Sequence, residues 1–199
     1  SFLLSSMIKV EKELKDINMH KIYSSQIIID NHQQFIDLCN YLGQELKKEF
    51  HEYPDITWLY DKYSIFSYAS SSILFYDLYK DLNKYIREYV GDDRRIWIQA
   101  WLNFLSYDEV ESVLHAHGHE WDIHGYISID PKETSTQFTH FSLKNKIGNI
   151  YMGPCGVDYN HKVINDNKWD GNRITIGYDC TFLEDKAFGS IGSLFYPVL

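Results

Sequence analysis

The chain has 199 residues and a formal charge of −9, from 19 Lys+Arg against 28 Asp+Glu. That length fits one domain, residues 1–199, able to bury a sizeable core, and a composition 44% hydrophobic and 24% charged excludes wholesale disorder. The acidic excess argues against a nucleic-acid partner, which selects a basic face. The three cysteines, Cys39, Cys155 and Cys180, are odd in number, far apart and without a CxxC pair. They read as small buried apolar residues in a reducing compartment, so a cytoplasmic location is expected. No apolar run nears the roughly 20 residues of a membrane span. The segment Ser1–Ser6 lacks the basic region and long apolar stretch of a secretory leader. Composition leaves the oligomeric state open.

Residues 1–95 carry mainly helical patterns. Asp30 or Asn31 can cap a helix in which Phe35, Leu38, Cys39, Leu42, Leu46 and Phe50 recur at helical spacing. A second amphipathic stretch runs from Ser72 to Val90, with Leu74, Leu78, Leu82, Tyr85, Ile86 and Tyr89 on one side and Gly91 as a stop. From Ile96 the texture changes. Ile96–Leu105, Gly125–Asp130, Ile147–Met152 and Arg173–Cys180 read as strands, separated by segments holding Gly, Pro, Asn and Asp. Short strands with turn signals predict a sandwich or barrel packed by the N-terminal helices in one α+β domain.

Four of the nine histidines fall between residues 115 and 124. His115, His117 and His119 alternate, so an extended segment projects all three to one face, where two can grip one metal ion. His124 has the other parity and reads as structural, or as a group that orients a ligand. A third ligand must come from elsewhere. His161 is the natural candidate, since it follows the turn-rich Gly153–Gly156 and precedes the apolar Val163-Ile164. His140, the competitor, lies in a polar stretch, Thr134–His140, that looks like an exposed loop. His20, His32 and His51 belong to the helical half and read as surface or capping residues.

Arg173 and Thr175 open an apolar strand and share a face. A buried guanidinium needs a partner, and its planar fork matches a carboxylate in bidentate geometry. The partner is either one of the chain's own acids or an acidic ligand.

These pieces together resemble the iron(II)- and 2-oxoglutarate-dependent oxygenases, in particular small phage-type and bacterial hydroxylase-like members. The similar segments are His124–Pro131, Asn145–Pro154 and Gly171–Asp179, and the resemblance spans about residues 96–182. It implies a double-stranded β-helix, a jelly-roll, cupin-like barrel whose open end holds iron. It implies His161 as the distal iron ligand, and Arg173 on the C5 carboxylate of 2-oxoglutarate with Thr175 as a second contact. It also implies oxidative decarboxylation of the keto acid by O2, with hydroxylation of a C–H bond in a small molecule or a peptide side chain.

The usual family pattern is His-x-Asp/Glu with a distal His, whereas every such pair here is His-x-His. Counting back from Gly125 favours His117 and His119, and counting forward from Trp101–Asn103 favours His115 and His117. The expected set is His117, His119 and His161, with His115 and Asp122 as alternates and Glu120 as another carboxylate in reach. Asn103 and Tyr126 sit on strands that should line the barrel, where either can hydrogen-bond the keto acid. Trp121 and His124 flank the metal segment, where they can meet substrate or orient a ligand. Two rivals remain: a cupin-like metal enzyme without a keto acid, and a non-catalytic metal-binding jelly roll.

Overall fold

The computed structural model describes residues 18–57, 59–111, 114–118, 121–182 and 196–199. Its helices are α1 (Gln26–Asp30), α2 (His32–Glu49), α3 (Ile65–Tyr68), α4 (Ile73–Val90) and α5 (Tyr107–Val110). Its strands are β1 (Lys21–Ser24), β2 (Trp97–Leu105), β3 (Ile123–Asp130), β4 (Thr134–Phe138), β5 (Ser142–Lys144), β6 (Asn149–Pro154), β7 (His161–Asn165), β8 (Arg173–Thr181) and β9 (Tyr196–Pro197). None of these helices is long and apolar enough to cross a membrane.

The two long helices follow their apolar spacing. Helix α2 buries Phe35, Cys39, Leu42 and Leu46, and α4 buries Phe75, Leu78, Leu82 and Ile86. Ser72 caps α4, its hydroxyl accepting from the Phe75 amide at 3.5 Å. Gly91 ends it with φ +78°, the left-handed conformation that a residue without Cβ adopts freely.

The strands form two antiparallel sheets. The larger has the order β1-β6-β3-β8-β2-β9 and the smaller the order β5-β4-β7. The helices cover one face of the larger sheet, and the smaller sheet approaches the other. Strand alternation divides the side chains between these faces. Ile98, Ala100 and Leu102 of β2, Ile123, Ile127 and Ile129 of β3, and Ile174, Ile176, Tyr178 and Cys180 of β8 join the helices in one core. Trp101, Asn103, His124, Tyr126, Arg173 and Thr175, on the intervening positions, line a cavity between the sheets.

The expected helix and antiparallel-sheet architecture is seen, with two open sheets and no closed barrel among the described residues. Besides its helices, the N-terminal half contributes β1, which pairs with β6 at the sheet edge. Thr134–His140 is not an exposed loop. Its first five residues are β4, with Thr134, Ser135 and Thr136 buried. Buried hydroxyls need partners, and a polar network supplies them. Thr136 Oγ1 lies 3.1 Å from Asn145 Oδ1, and Asn145 Nδ2 donates to Thr134 Oγ1 at 3.1 Å. His140 itself is exposed.

Candidate metal centre

The segment 114–118 runs beside β7. His115 and His161 form an antiparallel bridge, the His115 amide donating to the His161 carbonyl at 3.1 Å and the reverse bond measuring 3.0 Å. Residues directly opposed in such a ladder hold their side chains side by side. The two imidazole centroids are 4.4 Å apart. Two residues on, the His117 carbonyl accepts from the Gly156 amide at 2.8 Å, which fixes the far end of the segment. One candidate ligand atom from each of His115, His117 and His161 then lies within 4.8 Å of the others. That convergence suits a single cation.

The hydrogen-bonding partners determine which nitrogen is free. His161 Nδ1 is 3.4 Å from the Tyr159 carbonyl, a group that only accepts, so the proton belongs on Nδ1 and the lone pair on Nε2. His117 Nδ1 is 2.5 Å from Oδ1 of Asp179 on β8, a carboxylate only 5% exposed. That contact likewise leaves Nε2 as the atom free to ligate and holds the ring in place. Burial, reinforced by His115 and His117, drives the His161 pKa well below its ordinary value, so the ring is neutral and ready to ligate.

His124 is drawn into the same cluster. Its ring stacks on His117 at 4.5 Å and on His161 at 5.0 Å. Its parity relative to His115 and His117 would hold only along one continuous strand, whereas the Trp121 amide donates to the Gly118 carbonyl at 3.2 Å and β3 begins only at Ile123. Burial, then the neighbouring His117 and His161, holds its pKa well below the usual histidine value. His124 Nε2 is buried without a hydrogen-bond partner. Its Nδ1 lies 3.9 Å from the half-buried Cys155 Sγ.

Of the other expected ligands, His119 and Glu120 lie outside the described residues. Asp122 is engaged at the end of β8: its amide donates to the Cys180 carbonyl and its Oδ2 accepts from the Phe182 amide at 2.7 Å. It is not part of the convergent group. His20 is not an ordinary surface residue either. Its Nδ1 is 2.7 Å from the Tyr151 hydroxyl, and its ring packs among Phe138, Phe141 and Tyr159.

The cavity that the histidines enter also holds Arg173, Thr175, Asn103 and Tyr126. Thr175 Oγ1 accepts long bonds of 3.5 Å from both Asn103 Nδ2 and Arg173 Nη1. The Tyr126 ring lines the wall, while its hydroxyl is 2.9 Å from both Thr136 Oγ1 and Asn145 Oδ1, tying the two sheets together. Arg173 is 4% exposed, and among the described residues no carboxylate pairs with it. Its Nε has no partner. Burial lowers its pKa to about 10, which still leaves a cation at neutral pH. Leu105, Val110 and Val163 complete the wall. Gly177 keeps the floor open: a Cβ there would come within 2.8 Å of the Trp101 indole lying across it.

Asp179 is the site residue that sequence reading passed over. The signal was present, because Asp179 shares the strand parity of Arg173 and Thr175.

No protein-family model matches the chain, and no curated protein matches it. Among solved structures it is similar to an oxidoreductase of the 2OG-Fe(II) oxygenase family from Burkholderia pseudomallei, with 12% identity and a TM-score of 0.40. The match covers 51% of this chain and 52% of that one, so the chain spans about half the length of that protein. A likeness this distant carries no argument about chemistry, which rests on the geometry above.

Proposed function

We propose that the chain is a non-haem iron(II)- and 2-oxoglutarate-dependent oxygenase that hydroxylates a C–H bond. The observation that carries the reading is Arg173. A buried guanidinium without a carboxylate partner costs several kcal/mol in an apolar setting. Here it occupies the same small cavity as three convergent imidazoles. An acidic ligand that also reaches the histidines satisfies both groups at once, and a keto acid with a distal carboxylate has that shape.

The donor set fits a divalent metal. Three imidazoles bind first-row ions, and a carboxylate behind one of them adds negative charge next to the cation. His115, His117 and His161 would hold iron(II). When bound, the metal couples decarboxylation of the keto acid by O2 to hydroxylation, one oxygen atom entering succinate and the other the substrate C–H bond.

The chain's own residues do the rest. Arg173 offers a planar pair of N–H donors to the distal carboxylate. Asn103 and Thr175 lie beside it, and the partnerless Asn103 Oδ1 leaves room to adjust. Leu105, Val110 and Val163 exclude water, which strengthens the charge pairing. The cysteines take no part in this scheme.

The all-histidine donor set favours a second reading, a cupin-like metal enzyme or a metal-binding module that uses no keto acid, with zinc as a competing ion. Arg173 discriminates, because that reading gives it no task.

The test is anaerobic addition of iron(II) and 2-oxoglutarate, with the visible charge-transfer band of a chelated keto acid as the expected outcome. A folded, iron-loaded protein that shows no band at saturating keto acid overturns the proposal. Arg173→Ala should lose the band and the keto-acid affinity while keeping metal affinity.

A further inference from the structure

A second chamber lies outside the histidines. Tyr60, Trp101, Trp121, His115, His117 and Asp179 line it. Its volume of about 350 Å³ falls within the range of about 300–1,000 Å³ typical of small-molecule sites, so it can hold a ligand of amino-acid size. It shares Trp101, His115 and His117 with the inner cavity. A molecule seated there lies against His115 and His117, and Arg173 is not in its wall.

The lining has a definite chemistry. Three aromatic side chains contribute faces and edges, and the Tyr60 and Trp101 rings meet at 56° with centroids 5.6 Å apart, forming a corner. Such faces attract cations through the ring quadrupole. Asp179 is the carboxylate in the wall, and no Lys or Arg lines the chamber among the described residues. A ligand carboxylate would meet Asp179 as a like charge. The −9 charge of the whole chain draws cations towards the protein and repels anions.

We infer that this outer chamber is the substrate subsite and takes an organic cation, an ammonium or guanidinium head on a carbon chain of the kind carried by lysine and arginine. The head rests in the aromatic corner near Asp179, and the carbon chain runs towards His115 and His117. The assignment rests on the oxygenase reading for its chemistry: substrate C–H, O2 and 2-oxoglutarate give substrate C–OH, succinate and CO2.

The test titrates the full chain, anaerobic with iron(II) and 2-oxoglutarate, and reads tryptophan fluorescence, to which Trp101 and Trp121 contribute from the chamber wall. The probes are Nα-acetyl-arginine amide and Nα-acetyl-lysine amide against their neutral counterparts, the citrulline and norleucine amides. Each cationic probe should bind about tenfold tighter than its neutral partner. Trp121→Ala and, independently, the half-exposed Tyr60→Ala should each remove most of that preference and leave the keto-acid band unchanged. Equal affinities, no binding by any probe, or a preference that survives both variants overturns the inference. A band without cation preference sinks this inference alone. Cation preference without a band sinks the oxygenase reading and leaves the subsite standing.

Discussion

The two faces of strand β8 differ in chemistry though both are buried. Ile174, Ile176, Tyr178 and Cys180 press on the helices, while Arg173, Thr175, Gly177 and Asp179 turn to the histidine side. The helix face is apolar almost throughout, and its contacts stabilise by area. The other face collects polar atoms with unused bonding capacity: Arg173 Nε, Asn103 Oδ1, His124 Nε2 and Ser128 Oγ. Each unsatisfied buried group costs about 1–3 kcal/mol. One face therefore holds the fold together, and the other carries polar groups at a cost to stability.

Substitutions on the two faces should separate these roles. The largest effect expected is complete loss of metal binding in His161→Ala, followed by isothermal titration with iron(II) or manganese(II). Retained affinity would remove His161 from the centre. On the opposite face, Ile176→Ala should lower stability by about 2–5 kcal/mol in urea unfolding, with the metal affinity of the folded protein unchanged. A parallel fall in metal affinity would mean that the faces are coupled. Asp179→Asn keeps the shape of the side chain and removes its charge. Metal affinity should drop about 10–100-fold, or about 1.4–2.8 kcal/mol, with little change in the urea midpoint. An unchanged affinity would reduce Asp179 to packing.

The smallest effect is on the pH dependence of the metal-free chain. His124 and His161 are held neutral by burial, their folded pKa values lying well below 6.5. On unfolding each returns to its ordinary value and binds a proton below pH 6.5. The unfolded state then carries protons that the folded state refuses, so stability is full above pH 6.5 and falls as the pH drops. The loss is about 1.4 kcal/mol per histidine at one unit below that value. Urea midpoints at pH 7.5 and 5.5 measure it, and a flat profile would show that the rings are hydrated.

Much of the fold is legible in the sequence. Helix α4 runs from its Ser72 cap to Gly91 because cap, apolar stripe and stop residue are all local signals. The large-sheet strands that pack on the helices announce themselves by Ile, Tyr and Leu. Strand β4 does not, because three of its four buried residues are Thr134, Ser135 and Thr136, and the threonines find partners as distant as Asn145. The same limit applies to the site. Thr175 and Asn103 were readable from parity with Arg173 and Trp101. The grouping of His115 with His161 was one of two open registers, and their direct opposition was not readable, since they lie 46 positions apart and meet through a single backbone bridge.

By itself the sequence determined the residue inventory and its periodicity: a histidine-rich segment, an arginine opening an alternating strand, and helices with one apolar face. These follow from local rules of 2.0 and 3.6 residues per repeat. Only the tertiary structure decided which histidines converge, that Asp179 stands behind His117, and that Arg173 is buried beside them without an acid of its own. Those facts depend on sheet register and on the approach of segments distant in the chain. Neither is a property of any short stretch of sequence.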